Sequence, residues 1–359
     1  MATIKDVALR AGVSVTTVSH VINDTRHVSA KGRERVELAI RELGYVPNAM
    51  ARSLKSNTTS TLGMLIPNSS NPYFAEIVRI IEDRCFGAGY TLVLCNTDDE
   101  PHRQSVYLQV LAERRIDGLI VVSTGDDDTL ARQLNGLKVP TVLLDREIAD
   151  PHCDLVETAH MQGGLLAVRH LLSLGHRRIA CIGGPQGVSP SEQRIAGWRM
   201  ALAESGHGTG DADALLWRGG FTSQGGYEAM HAILRAGTND IPSAVFVCND
   251  LMAIGALRAA HESGVRVPDE LSIVGFDDIE LSAYTSPPLT TVAQPKERIG
   301  ALAVDMLLER VGGRRRDARK VVLQPELHVR ASTARYSGAP AAAPVSVPSS
   351  ADTRKSRTP

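Results

Sequence analysis

Five short apolar runs in this chain are each followed directly by polar or aromatic side chains that could hold a small molecule. After TLGMLIP comes the loop 68–74, with Asn71, Tyr73 and Phe74. After VPTVLL come Asp145 and Arg146, and the loop after IACIGG ends at Arg194. After AVFVC come Asn249 and Asp250, and after SIVGF come Asp277 and Asp278. Gln294 lies in a segment between two halves of the chain. Aromatic faces stack on a ring, and Asn, Asp, Arg and Gln fix hydroxyl groups. The set therefore reads as a site for a polyol such as a sugar. Helix-face core packing is the competing reading for Tyr73 and Phe74. Asp250, Asp278 and Glu280 are read as caps or solvated loop residues.

A second constellation opens the chain. In IKDVALRAGVSVTTVSHVIN, the residues Val7, Ala8, Ala11, Val13, Val18 and Val21 have the spacing of two helices crossing at a tight turn. Gly12 sits where a residue without a Cβ is least strained. Ser14 is placed to cap the second helix, and Ser29 to cap a third, AKGRERVELAIRELG. A helix-turn-helix sends its second helix into the major groove of duplex DNA. Thr16, Thr17 and His20 are then the side chains that reach base edges. Lys5, Arg10, Arg26, Arg33 and Arg35, with the Ser14 hydroxyl, are phosphate candidates. An ordinary three-helix bundle is the bland alternative. Asn48 can cap a short helix, AMARSLK, which is marginal in isolation. Within it Leu54 has no evident core to join. Flanked by Arg52 and Lys55, it suits an apolar wedge in the minor groove.

Several chemistries find no support. IGGPQG lacks the ending of a phosphate loop. The acidic run 125–128 reads as a solvated turn rather than a metal site. His160, His170 and His176 have no ligand partners at useful spacing, and no catalytic triad or carboxylate pair stands out. Neither an enzyme nor a cofactor or metal is expected. Five cysteines lie far apart with no CxxC pair, which argues for reduced thiols.

The elements that must position these residues alternate. From residue 61 onward, strands of four to seven apolar residues alternate with helices of 10 to 17. This is the pattern of parallel sheets covered by helices on both faces. About nine strands are too many for one doubly wound domain, so two lobes are expected. The 359 residues suit one small and two ordinary domains. Charge is polarised: residues 1–60 carry nine Lys/Arg against five acids, and the whole chain has a net charge of −1, so the remainder stands at −5. A basic head on an acidic body is expected if only the head meets phosphates. The opening residues form a polar amphipathic pattern rather than a secretory signal, and no apolar run reaches 18 residues. A cytosolic protein is expected.

In combination, TIKDVALRAGVSVTTVSHVIN, LGYVPNAMARSLK, TLGMLIPNSSNPYFAEI, FVCNDLMAIGALRAAHESGVRVPDELSIVGFDDIE and PPLTTVAQPKERIG resemble the lac and galactose repressor family over about residues 3–335. Within it the chain most resembles the ribose operon repressors. The resemblance implies a type I periplasmic-binding-protein-like core with the effector in its cleft. It implies a dimer on a pseudo-palindromic operator, and a hinge helix that folds as Leu54 inserts between bases. Similarity to ribose-binding transport proteins implies effector contacts by Asn71, Tyr73, Phe74, Asp145, Arg146, Arg194, Asn249, Asp277 and Gln294. Phe221 resembles an aromatic that some members place against the ligand. The expected domains are a head at 1–47 and a hinge at 48–60. One lobe takes 61–162 and 293–321, the second takes 163–292 and 322–336, and 337–359 form a disordered tail. The expected function is a repressor controlled by a small sugar, D-ribose first. A different sugar, a phosphosugar or a purine is the alternative, and a periplasmic transport protein is the outlying one.

Overall fold

The computed structural model describes residues 2–46, 58–122, 127–145, 152–206, 213–236 and 241–338. It divides into two units, Met1–Thr59 and Ser60–Pro359. In the first, α1 (Ile4–Ala11), α2 (Val15–Asn23) and α3 (Ala30–Leu43) close on a core of Val7, Ala8, Ala11, Val18, Val21, Val36 and Ala39. The helix starts follow from local chemistry. Thr3 and Asp6 form a reciprocal capping box on α1. Ser14 accepts from the Thr17 amide at the start of α2, and Ser29 from the Gly32 amide at the start of α3. Gly12 ends α1 at φ 62°. The expected hinge segment, with Leu54, lies outside the described residues.

The second unit holds two six-stranded sheets. In chain order the first part comprises β1 (Thr61–Ile66), α4 (Pro72–Gly87), β2 (Thr91–Asn96), α5 (Pro101–Glu113), β3 (Gly118–Val121), α6 (Asp127–Leu137), β4 (Thr141–Leu144) and β5 (Asp154–Thr158). The chain then crosses over to α7 (His160–Ser173), β6 (Ile179–Gly183), α8 (Ser189–Glu204), β7 (Leu216–Arg218) and α9 (Ser223–Arg235). There follow β8 (Ala244–Val247), α10 (Asp250–Glu262), β9 (Ser272–Asp277) and β10 (Thr290–Ala293). It returns for α11 (Lys296–Val311) and β11 (Lys320–Leu323), and crosses a third time to β12 (Glu326–His328).

The first sheet runs β11-β5-β4-β3-β1-β2 and is wholly parallel. The second runs β12-β10-β9-β8-β6-β7, with only β12 antiparallel. The strand order reverses between β1 and β3 in one sheet and between β6 and β8 in the other. Open parallel sheets bind ligands at such reversals, beyond the carboxyl ends of the strands.

The structure corrects the sequence reading in three places. DLVET, LWR and TTVA are strands that apolar patterning missed. In β5 the two ends are polar: Asp154 is gripped by Arg315 at 2.8 and 2.6 Å, and Thr158 donates to Gln294. Secondly, KVVLQPELH is not one strand. Its two halves, β11 and β12, lie in different sheets, so the boundary expected at 321/322 would cut through β11. The crossing is Gln324-Pro325. Thirdly, the first crossing is at Ala159 rather than 162/163, because α7 already packs on the second sheet.

Helices α7 and α8 meet backbone to backbone. A Cβ on Gly164 would collide with the Arg194 carbonyl, and one on Gly197 with the Met161 carbonyl. Only glycine permits this approach, which sets His160 at the start of α7 beside Arg194 on α8. Gly197→Ala is expected to cost about 1–3 kcal/mol in urea denaturation, as overpacking does. A loss within error of zero would show that the helices can part freely.

Candidate functional site

The two strand-order reversals face one cavity of about 310 Å³. Asn71, Tyr73, Phe74, Val122, Leu144 and Asp145 line it from the first lobe. Val188, Ser189, Arg194, Phe221, Asn249 and Asp277 line it from the second. The volume is at the low end for small-molecule pockets, which span about 300–1,000 Å³.

Local structure explains how each side chain arrives there. Asn71 caps α4 by accepting from the Tyr73 amide, which fixes the turn that carries Tyr73 and Phe74. Their rings meet edge to face, 5.3 Å apart. Asn249 caps α10 through the Met252 amide, and its own amide donates to the Phe221 carbonyl. Asp145, Phe221 and Asp277 hold φ of 54°, 60° and 110°. Backbone in this region costs on the order of 1–3 kcal/mol per residue and collects at functional sites.

Behind the cavity, six side chains close a ring. The Tyr73 hydroxyl donates between Asp145 Oδ2 (3.0 Å) and Gln294 Oε1 (3.2 Å). Gln294 Nε2 donates to Asp277 Oδ1 at 2.8 Å. Asp277 Oδ1 lies 3.3 Å from Arg194 Nη1. Arg194 Nε and Nη2 reach His160 Nδ1 at 3.4 and 3.3 Å. His160 Nε2 lies 3.2 Å from Asp145 Oδ1, which returns to the start. Asp145 and Tyr73 belong to the first lobe, Arg194 and Asp277 to the second. Gln294 and His160 sit at the crossings.

Burial dominates the ionisation. It pushes the Asp277 carboxyl up to about 6, although Arg194 and Gln294 pull it down. It holds His160 below the ordinary imidazole value against the pull of Asp145, so the ring is neutral near pH 7. Asp145 is half-buried, and its carboxyl stays below the usual range. That lowering comes from the His160 ring beside it, then the Thr158 amide and Arg194. Burial and the neighbouring carboxylates push Tyr73 well up, so its hydroxyl stays a donor.

The structure brings Asn71, Tyr73, Phe74, Asp145, Arg194, Phe221, Asn249 and Asp277 to the cavity wall. Gln294 instead stands behind the wall, 3% exposed, holding Tyr73 and Asp277. Arg146 lies outside the described residues. His160, set aside on spacing, is 1% exposed and part of the ring. Reading DLVET as a strand would have exposed it, since it follows that strand as the other candidates follow theirs. Asp250 is buried and ties α10 to Thr291 and the Ile279 amide, and Asp278 accepts from Arg330. Neither lines the cavity, but Asp250 is a buried tie between elements rather than the cap or solvated loop residue expected. Among the described residues no His, Cys, Asp and Glu cluster could hold a metal ion.

In the head, Thr16 is exposed on α2. Thr17 shares a hydroxyl contact of 2.9 Å with Ser14, and His20 Nδ1 lies 2.8 Å from Thr25 Oγ1. Lys5, Arg26 and Arg35 are exposed, whereas Arg10 pairs with Glu42 at 2.7 Å and Arg33 with Asp24 at 2.5 Å. Arg52, Leu54 and Lys55 lie outside the described residues.

Residues 3–48 match the model of bacterial regulatory proteins, lacI family, and residues 168–333 match a periplasmic binding protein-like domain. The HTH-type transcriptional repressor PurR of Photobacterium profundum is 42% identical over 336 residues, 92% of this chain and 98% of its own. The chain belongs to the lacI family. The ribose operon repressor of Escherichia coli is likewise 42% identical, over 92% of this chain and all of its own length. The lac repressor dimer bound to operator and the anti-inducer ONPF superposes with a TM-score of 0.84 at 33% identity, covering 93% of this chain and 99% of that one. This lacI-family chain is thus a DNA-binding transcriptional repressor rather than an enzyme.

Asp277 gives its pocket a pH signature. A carboxyl raised from 3.8 to about 6 on folding contributes stability that is complete below about 4 and lost as pH rises through about 6. At 1.36 kcal/mol per unit the loss is about 3 kcal/mol. Asp277→Asn is expected to remove that slope, so the variant gains on the wild type as pH rises from about 4 to 7. Parallel pH profiles of the urea midpoint would contradict it.

Proposed function

We propose that this repressor binds a pseudo-palindromic operator as a homodimer in the cytosol and that D-ribose, bound between its lobes, lowers its operator affinity. The observation that carries the reading is the pair of carboxylates, Asp145 and Asp277, presented with Arg194 and Asn249 to a small cavity walled by Phe74 and Phe221. Carboxylates accept from vicinal hydroxyls, a guanidinium donates to them, and phenyl rings stack on a sugar ring. The likeness to the ribose operon repressor supports the same reading. Arg146, next to Asp145 in sequence, is proposed as a further donor. Thr16, Thr17 and His20 are proposed to read bases. Lys5, Ser14, Arg26 and Arg52 are proposed to hold phosphates, with Leu54 and Lys55 in the minor groove.

Equal identity to PurR favours a second reading, in which the cavity takes a purine. Two carboxylates suit hydroxyl donors better than a flat base. Calorimetry of the full chain with D-ribose, hypoxanthine and guanine decides between them. Binding of ribose alone is expected, and binding of a purine alone would overturn the proposal.

Coupling between sites of this kind is worth about 1–3 kcal/mol. Saturating D-ribose is therefore expected to weaken operator binding about 5- to 150-fold in fluorescence anisotropy, and Asp277→Ala to bind operator but ignore the sugar. Unchanged sugar affinity in Asp277→Ala would remove that residue from the site. Leu54→Ala is expected to weaken specific operator binding at intact ribose affinity. Equal operator affinity for the variant and the wild type would sink the wedge.

A further inference from the structure

We propose that His160 is the positioning residue of the effector site, a neutral imidazole at the first crossing between lobes that orients the Arg194 guanidinium toward the bound molecule. Where that molecule is named as D-ribose, the inference rests on the function proposed above.

Arg194 is held on several edges. Nη1 donates to the Cys248 carbonyl at 2.5 Å and lies 3.3 Å from Asp277. The face of the guanidinium lies 3.8 Å from the Phe276 ring centroid. Nε and Nη2 share the His160 Nδ1 lone pair. An arginine offers only donors, so Nδ1 must be unprotonated and the proton must be on Nε2. Cys248, Asp277 and Phe276 hold Nη1 and the face of the group, and His160 is the partner of the remaining Nε and Nη2 edge; without it the planar group can tilt about its Nη1 anchor and present its donors to the cavity less well. Asn71 and Asn249 also line the cavity, but their side-chain oxygens cap helices and do not hold this edge.

The same ring reports on the opposite lobe. Its Nε2 lies 3.2 Å from Asp145 Oδ1 without forming a well-shaped hydrogen bond, and Nε2 has no other partner among the described residues. A buried donor in that state is costly. Asp145 and Glu157 favour a charge on the ring, Arg194 and burial oppose it, and Phe276 packs at 5.9 Å. Protonation would remove the lone pair and set a second cation against Arg194, so acidification releases the arginine.

The test uses full-length His160→Phe, which keeps the ring volume but removes both nitrogens, and His160→Asn, which keeps an acceptor near the Nδ1 position. D-ribose binding is measured by calorimetry from about pH 8 down to about 4.5, below the ordinary imidazole range, because burial holds His160 lower. Thermal unfolding checks that each variant is folded. Affinity is expected to fall at least about tenfold in His160→Phe and to recover mostly in His160→Asn, one factor of ten being about 1.4 kcal/mol. Wild-type affinity should also drop on acidification more steeply than that of His160→Asn; Asp277 titrates in both, so the difference isolates His160. Equal weakening in the two variants would mean that the residue only packs, and wild-type affinity in His160→Phe would remove its role altogether.

If the wild type binds no ribose, the proposed effector is wrong and the ligand-free protein decides about His160. Nitrogen-15 spectra should show a histidine signal with an accepting Nδ1 and a protonated Nε2 that is lost from both variants. The Arg194 Nε–H signal should shift in His160→Phe and hold in His160→Asn. An Arg194 signal indifferent to both substitutions would overturn the proposal.

Discussion

The cavity stands on one closed circuit of polar contacts: Asp145, Tyr73, Gln294, Asp277, Arg194 and His160. Five of the six are buried, and all lie where an unsatisfied polar group is expensive. Each member therefore needs its neighbours. Because two members come from each lobe and two from the crossings, the circuit constrains the lobes as well as the side chains. Under the proposed function, a ligand inserted beside it would change which contacts are best and so would act on both lobes at once. That is the physical content of an effector acting at a distance on DNA.

The aromatic walls and the circuit have separate tasks. Phe74 and Phe221 supply area without direction, so they bind a ring of either kind. The carboxylates and the guanidinium supply direction, and they discriminate. A hydrogen-bonding site rejects a ligand that leaves its buried groups unmatched more strongly than an apolar wall rejects a misfit. Specificity in this repressor is thus expected to follow Asp145, Arg194 and Asp277 rather than the phenyl rings.

Much of this was legible in the residues. The apolar strands announced two parallel sheets, and the rule that ligands collect beyond strand ends found seven cavity residues, with Phe221 added by the family resemblance. It failed where strands were disguised. β5 hides its character because Asp154 and Thr158 are buried polar ends with partners far along the chain, at Arg315 and Gln294. Losing that strand lost His160. The division of KVVLQPELH between two sheets was also hidden, since each half is short and the break depends on which sheet has an open edge. In the head, the helix starts were readable from Thr3, Ser14 and Ser29, but the pairing of Arg10 with Glu42 and Arg33 with Asp24 was not. Side chains from different helices meet only once the helices pack.

The triple crossing also dictates an order of assembly. The first sheet gains its edge strand only when Lys320–Leu323 arrives, and the second gains its own only with Glu326–His328. A ribosome delivers residues in sequence, so neither lobe can be finished while the other is still missing. Almost the whole second lobe must emerge while the first waits with β5 uncovered. The two lobes are therefore completed nearly together, and a chain cut short before residue 320 leaves an open edge in both.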